Sequence, residues 1–426
     1  MTTAIRAPVP VVVQQHAEDA AMLRNTRSVL VSAPHVKLHQ LRRLDDRLAA
    51  HLDGLAVAGE YGSHLASAAL DRPGRGEVFT ATVRAIEDRD VLGLDRLLAI
   101  AEAAPESLAG VISAFGWVTG ASLHGITKSL LDSPSALRRQ VGLTVCEMHQ
   151  VDPGARMVEI ALQDEDAALR ARALRLIAHL GQVDRVSACM AAMADKDPRC
   201  AFEAARAAAL LGNRGASVAA LHAIATPPGP WRSAALRMLL KLQESDDAHA
   251  TLETLAQDPA CVRLLIRGIG VAGDPHYVPW LIQQMPDLKL TRVAGESFSL
   301  ITGLDLAYLD LERKPPEGVT FGANEDPDDD SVAMDEDDSL PWPDVDKIAA
   351  WWESNRQHFA PGTRYFMGEP PSTAHCLGVL KSGFQRQRTA AATYLCLLEP
   401  GTPMFNTAAP AWRQQQLLGL SGGVAQ

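Results

Sequence analysis

The chain is poor in aromatic residues: Phe, Trp and Tyr fill 5 % of its 426 positions. A β-sandwich draws its core from Val, Tyr and Phe, so this scarcity turns the reading away from an all-β fold. Cysteine is thin as well. Cys146, Cys189, Cys200, Cys261, Cys376 and Cys396 are scattered without any C-x-x-C pair, which reads as free, mostly buried thiols in a reducing compartment. No apolar run approaches the roughly 18 residues of a membrane span. Val9 to Val13 is too short and proline-broken for a secretory core, so a soluble, cytoplasmic protein is expected. An excess of positive charge is also missing. Lys and Arg total 40 against 51 Asp and Glu, a formal net charge of −11. That balance argues against a dedicated nucleic-acid binder, whose phosphate contacts need a basic face, although a local basic groove can hide inside an acidic total.

Catalytic signatures are lacking too. There is no G-x-S-x-G elbow, no S-x-x-K, no G-x-x-x-x-G-K-[ST], and no strand leading into G-x-G-x-x-G. The reading is therefore of a non-enzyme with no catalytic residue, no cofactor and no bound metal. Two metal-like spacings are weak. His35 and His39 stand four apart, but no third ligand is spelled nearby, and they read as ordinary histidines. Asp326, Asp328, Asp330 and Asp337 match positions 1, 3, 5 and 12 of a calcium loop, yet Ser331 occupies the glycine position and the bidentate Glu is absent. Trp231, Arg232 and Arg237 are the nearest approach to a DNA-glycosylase groove, and read more simply as a helix start with solvated arginines.

What is present is a repeat. The chain is 47 % hydrophobic, mostly Ala and Leu, as close-packed helices require. Val158 to Gly181 and Val186 to Gly212 each carry an apolar helix, an acidic turn and a second apolar helix closed by glycine. The turns are Asp164-Glu165-Asp166 and Asp195-Lys196-Asp197-Pro198. On the same register, boundaries fall near Gly120, Gln150, Gly181, Gly212, Leu242, Gly273 and Gly303, six intervals of 30 or 31 residues. Such a period marks a stacked helical array, an all-α solenoid.

Four regions follow. Residues 1–75 are expected to be a helical N-terminal cap, with Leu38, Leu41, Leu44, Leu48, Leu52 and Leu55 on one helical face. Residues 76–312 hold the array. Residues 313–343 form an acidic, proline-flanked loop, in which nine of the fourteen residues from Glu325 to Asp338 are acidic and cannot build a core. Residues 344–426 are a C-terminal helical segment with one further repeat. For binding a protein partner, the sequence offers Trp352 as the outward member of the Trp351-Trp352 pair, Arg386 and Arg388 in the first turn of the last long helix, and Asp328, Asp329 and Asp330 in the acidic loop. The first turn is the unfavourable end of a helix for cations.

The repeats resemble HEAT-like repeats, in the short form seen in bilin-lyase-type arrays. More specific are Ser32-Ala33-Pro34-His35, the run Leu41-Arg42-Arg43-Leu44-Asp45-Asp46-Arg47-Leu48 and on through Leu55 to Ala58-Gly59-Glu60, Pro361-Gly362-Thr363-Arg364-Tyr365, Gln385-Arg386-Gln387-Arg388 and Pro410-Ala411-Trp412-Arg413-Gln414. In these the chain resembles an uncharacterised proteobacterial family of HEAT-repeat proteins often met beside type VI secretion genes. The resemblance carries over no catalytic residue. It implies a bacterial cytoplasmic adaptor or chaperone-like protein that binds type VI secretion components or an effector, while the charge and the lack of long apolar runs point to neither nucleic acid nor membrane. The rival readings are an enzyme on the same scaffold, glycosylase-like or bilin-lyase-like, and a self-associating structural repeat protein.

Overall fold

A computed structural model of the chain describes residues 8–319 and 335–420. Among the described residues all regular elements are helical, with twenty-two α-helices, short 3-10 turns between them and no β-strand. The fold is an all-α solenoid. It divides into two compact units, the first comprising Met1–Ala207, Lys381–Arg386 and Gly401–Gln426, the second Ala208–Leu380 and Gln387–Pro400.

In the first unit the helix Pro10–Leu30 packs on Leu38–Val57 and on Arg75–Glu87. The six leucines of Leu38–Val57 recur at steps of three and four, which puts them on one face. All six are buried, with Leu41, Leu48 and Leu55 fully so. From there the helices alternate. Arg75–Glu87, Leu108–Trp117, Ala136–His149 and Ala167–His179 each stack on the next of their kind, and Val91–Ala103, Ile126–Leu131 and Ala155–Leu162 lie between them. Leu169, Leu174, Leu176 and Ile177 are buried at the level of a protein core. In the second unit Arg232–Leu242, Val262–Ala272 and Thr291–Thr302 stack likewise, each preceded by a partner helix. All six cysteines are free and buried.

The period has a backbone cause. Gln150, Gly181, Gly212, Gly273 and Gly303 all take positive φ, between 54° and 98°, at or just past the end of a second helix. This left-handed residue is what lets a helix stop and turn its last carbonyls toward new donors. In the second unit the chain at 362–368 runs directly over two of these stops. Tyr365 N–H donates to the Gly273 carbonyl (2.8 Å), and Met367 N–H to that of Leu300 (2.6 Å). A Cβ at Gly273 would run into the Tyr365 carbonyl oxygen, and one at Gly303 into that of Met367. Here glycine is required twice over, by its φ and by the close approach.

The acidic region springs from a closed base. Glu312 bridges Pro343, Arg313 N–H donates to the Trp342 carbonyl (2.8 Å), and Asp344 N–H to that of Leu311 (2.9 Å). Asp326, Asp328, Asp329 and Asp330 lie outside the described residues, and the calcium-like spacing with them.

Gly273→Ala is expected to lower unfolding free energy by roughly 2–4 kcal/mol, from strained φ plus a backbone clash. Guanidinium denaturation followed by circular dichroism reads this. A midpoint unchanged from the parent would mean that residues 362–368 do not rest on the helix end in solution.

Candidate functional site

The acidic turns of the two clearest repeats are spoken for. In the first, Asp166 caps its helix by accepting the Leu169 N–H (2.8 Å). Asp164 faces back and takes Arg139 of the preceding repeat at 2.7 Å. That arginine also donates to the Ser133 and Pro134 carbonyls. One repeat later the pattern recurs: Asp197 caps the Cys200 N–H, and Asp195 takes Arg170 through two bonds of 2.8 and 2.9 Å. The Arg170 hydrogen bonds hold the Asp195 carboxyl below its usual range. Both the arginines and the aspartates are 31 residues apart, so the turn works as a clasp between repeats.

The second helices of the first unit carry a buried ionic network. Glu147 on Ala136–His149 accepts from Arg172 (3.0 Å), Arg175 (3.1 Å) and His179 Nδ1 (2.8 Å) on Ala167–His179. On the other side of the ring, His179 Nε2 faces an Arg206 nitrogen at 3.0 Å, and Arg206 also pairs with Glu203 at 3.2 Å. A guanidinium only donates, so Nε2 must be the acceptor and Nδ1 must carry the proton. His179 is therefore neutral. Burial, the largest influence, pushes it below the usual imidazole value, and the Glu147 charge offsets only part of that. Burial alone would raise the Glu147 carboxyl, but His179, Arg175 and Arg172 together hold it far below its ordinary value. The arrangement orders a surface; it contains no nucleophile.

The second unit has a different face. Arg237 and Lys241 stand one turn apart on Arg232–Leu242, Arg263 and Arg267 one turn apart on Val262–Ala272, and Arg292 begins Thr291–Thr302. A piece of the chain's own acidic segment lies on part of this strip. Arg292 grips Asp335 through two bonds (2.7 and 2.9 Å) and stacks on Trp342 at 4.9 Å. Arg263 donates to Glu336 (3.1 Å) and to the buried Asp337, and Arg267 to Glu336 (3.0 Å). The hydrogen bonds from Arg263 and Arg267 lower the Glu336 carboxyl. Arg237 is exposed and donates to Ser233 Oγ (3.1 Å), while the Lys241 ammonium sits 4.6 Å from the centre of the Tyr394 ring. Among the described residues neither cation has a carboxylate partner.

Several residues named from sequence stand elsewhere than expected. Trp352 is not the outward tryptophan: it is 6 % exposed and packs on Phe359 at 5.6 Å, whereas the half-buried Trp351 packs on Phe298 at 6.0 Å. Arg388 cannot meet a partner, because it is completely buried and donates to the Leu380 carbonyl (2.7 Å). Burial pulls its guanidinium down to about 10. Arg386 is half-buried and donates to the Ser32 carbonyl at 3.2 Å. Asp328, Asp329 and Asp330 lie outside the described residues, but Asp337, the twelfth position of the calcium-like spacing, is already bound to Arg263. His35 and His39 are exposed. Arg232 is engaged with the Ala225 carbonyl (3.2 Å) and Cys261 Sγ (3.3 Å), and only Arg237 of the glycosylase-like set faces outward. The arginine strip was missed. Its signal was there: Arg237 and Lys241, then Arg263 and Arg267, repeat an i, i+4 cation pair on successive second helices.

Residues 155–241 match the family model described as HEAT repeats. The chain carries HEAT repeats. No curated protein and no solved structure matches it. The HEAT-repeat match covers the two clear repeats and the helix pair that follows them, and it extends onto the helix bearing Arg237 and Lys241. No helix among the described residues is long and apolar enough to cross a membrane.

The His179 network has a pH signature. A base whose folded value is lowered binds fewer protons folded than unfolded, so stability falls as pH drops below the unfolded histidine value of about 6.5. The slope reaches at most about 1.4 kcal/mol per pH unit, and Glu147 adds its own loss only at more acid pH. His179→Gln is expected to flatten the melting temperature between about pH 6.5 and pH 5. Parallel curves for parent and variant would show that His179 is not the titrating group.

Proposed function

We propose that the chain is a non-catalytic protein-binding scaffold, an adaptor or chaperone-like accessory protein of a type VI secretion system. The observation that carries the scaffold reading is the acidic segment lying on the second helices of the second unit, gripped by Arg263, Arg267 and Arg292. A helical array that holds an acidic turn of its own chain by side-chain ion pairs can offer the same guanidinium contacts to an acidic segment of another protein. HEAT repeats are scaffolds for protein interaction, and Glu147, Arg172, Arg175, His179, Glu203 and Arg206 in the first unit are locked in mutual contacts. The secretion assignment rests on the resemblance carried by the 32–60, 361–365, 385–388 and 410–414 segments. Asp328, Asp329 and Asp330 offer a second contact, suited to a basic partner.

Affinity capture of the tagged full-length protein from its own host lysate, at low and at high salt, tests this. Secretion components or an effector should be enriched, and contacts made by the exposed charges should weaken as salt screens them. Recovery of the protein alone, or of nucleic acid with it, would sink the adaptor reading.

A further inference from the structure

The cationic strip of the second unit is only partly covered. Asp335, Glu336 and Asp337 satisfy Arg292, Arg263 and Arg267, and the strip continues past them onto Arg232–Leu242. Arg232–Leu242 stacks on Val262–Ala272, which holds Glu336 through Arg263 and Arg267; burial first and the Arg267 charge second lower the Arg237 guanidinium. The exposed Arg237 and the half-buried Lys241 thus stand on the helix that packs directly against the one bearing Arg263 and Arg267. Nearby Arg364 is directed elsewhere, with four hydrogen bonds to the carbonyls of Leu240, Lys241, Gln243 and Ala272. The occupant already seated defines the chemistry that fits. It is a tight turn carrying three successive carboxylates, with the Asp337 N–H folded back onto Asp335 Oδ1 (3.0 Å), held by guanidinium bonds and finished by Trp342 stacking on Arg292.

We propose that Arg237 and Lys241 form the open half of an acidic-peptide groove, and that a partner's acidic segment seats there beside Glu336. The inference rests on the scaffold reading and names the chemistry of the client segment. Residues 335–337 are then the intramolecular share of the same groove, aligning its arginines before the client arrives. Lys241 supplies a readout that a merely structural residue would not. Burial, then Arg364 and Arg237, pull its ammonium down to about 7, with Cys376 opposing weakly and the Tyr394 ring beneath it. A seated carboxylate favours the charged form, so binding takes up a proton.

The test uses the full chain and a short fluorescein-labelled poly-glutamate peptide, followed by fluorescence anisotropy. The parent should bind at low salt and release as salt rises. Arg237→Glu, at an exposed position where the fold should stand, is expected to weaken binding roughly tenfold at unchanged melting temperature. Affinity in the parent should rise from about pH 8 to about pH 6, and Lys241→Met should remove that rise. Equal binding by parent and Arg237→Glu overturns the proposal, as does a pH profile that survives Lys241→Met. Tighter binding of a single-stranded oligonucleotide than of the peptide through the same two residues overturns it as well. If lysate capture recovers secretion proteins while poly-glutamate fails to bind, this groove assignment falls and the scaffold reading stands.

Discussion

Every α-helix ends in carbonyl groups that its own turns cannot satisfy, and in this protein arginine side chains meet that need. Arg364 reaches the last carbonyls of two successive second helices at once. Arg413 donates to Gly116 and Val118 at the end of Leu108–Trp117 (3.2 and 3.0 Å), Arg214 to Ala209 (2.6 Å), and Arg388 to Leu380. The cation sits where the helix dipole favours it, and one planar fork serves several oxygens, which an ammonium on its flexible stem does less well. The composition carries the mark of this demand: eight lysines leave thirty-two arginines among the forty basic residues. Burial opposes the charge, and Arg214, Arg388 and Arg413 are all pushed down from the usual guanidinium value by desolvation. Several carbonyls per guanidinium outweigh that cost, since hydrogen bonds to a charged group are worth about 1.5–3 kcal/mol each.

The same requirement decides where the end of the chain goes. In the first unit Arg27 holds the carbonyls of Ala408 and Ala409 (3.0 and 2.9 Å) while pairing with the fully buried Asp45, which in turn accepts the Ala411 N–H at 2.7 Å. Trp412 then stacks edge-on against Trp117 at 4.6 Å. The Met404 N–H takes the carbonyl of His179, so the residue that ties Glu147 to Arg206 also anchors the returning strand. In the second unit residues 362–368 do the equivalent over Gly273 and Gly303. A solenoid must cover the ends of its repeats, and here the chain supplies the cover from its own last quarter.

That design explains what could and could not be read from the sequence. The repeat was legible because its causes are local: a left-handed stop at Gly181 or Gly273, an Asp cap three residues ahead of a second-helix N–H, apolar residues at steps of three and four. The fasteners were not, because Arg27 and Ala408 are 381 residues apart and nothing local announces the pairing. Arg386 and Arg388 show how a correct local argument misled. A cation in the first turn is unfavourable to its own helix, and reading that as a sign of an external partner overlooked the carbonyls of Ser32 and Leu380. Trp352 failed for a related reason, since helical periodicity separates two adjacent tryptophans without saying which one is the more deeply buried; both ring systems lie near Phe359. The segments that carry the resemblance contain Arg364, Arg386, Arg388, Trp412 and Arg413, each of which fastens one part of the fold to another.

A net charge of −11 and a cationic strip are compatible because charge acts over a limited range. At physiological ionic strength the Debye length is about 8 Å, so a ligand on the second helices feels Arg237, Lys241 and Arg267 and little of the rest. Much of the acid is itself neutralised in place: Asp164 and Asp195 by the arginines of neighbouring repeats, Asp335 and Glu336 by the strip, Asp45 by Arg27. A long polyanion cannot confine itself to that range. A nucleic acid crossing the strip would carry most of its phosphates beyond the reach of these cations. A short acidic peptide stops where the cations stop. Length, as much as charge, is therefore what the proposed groove would select.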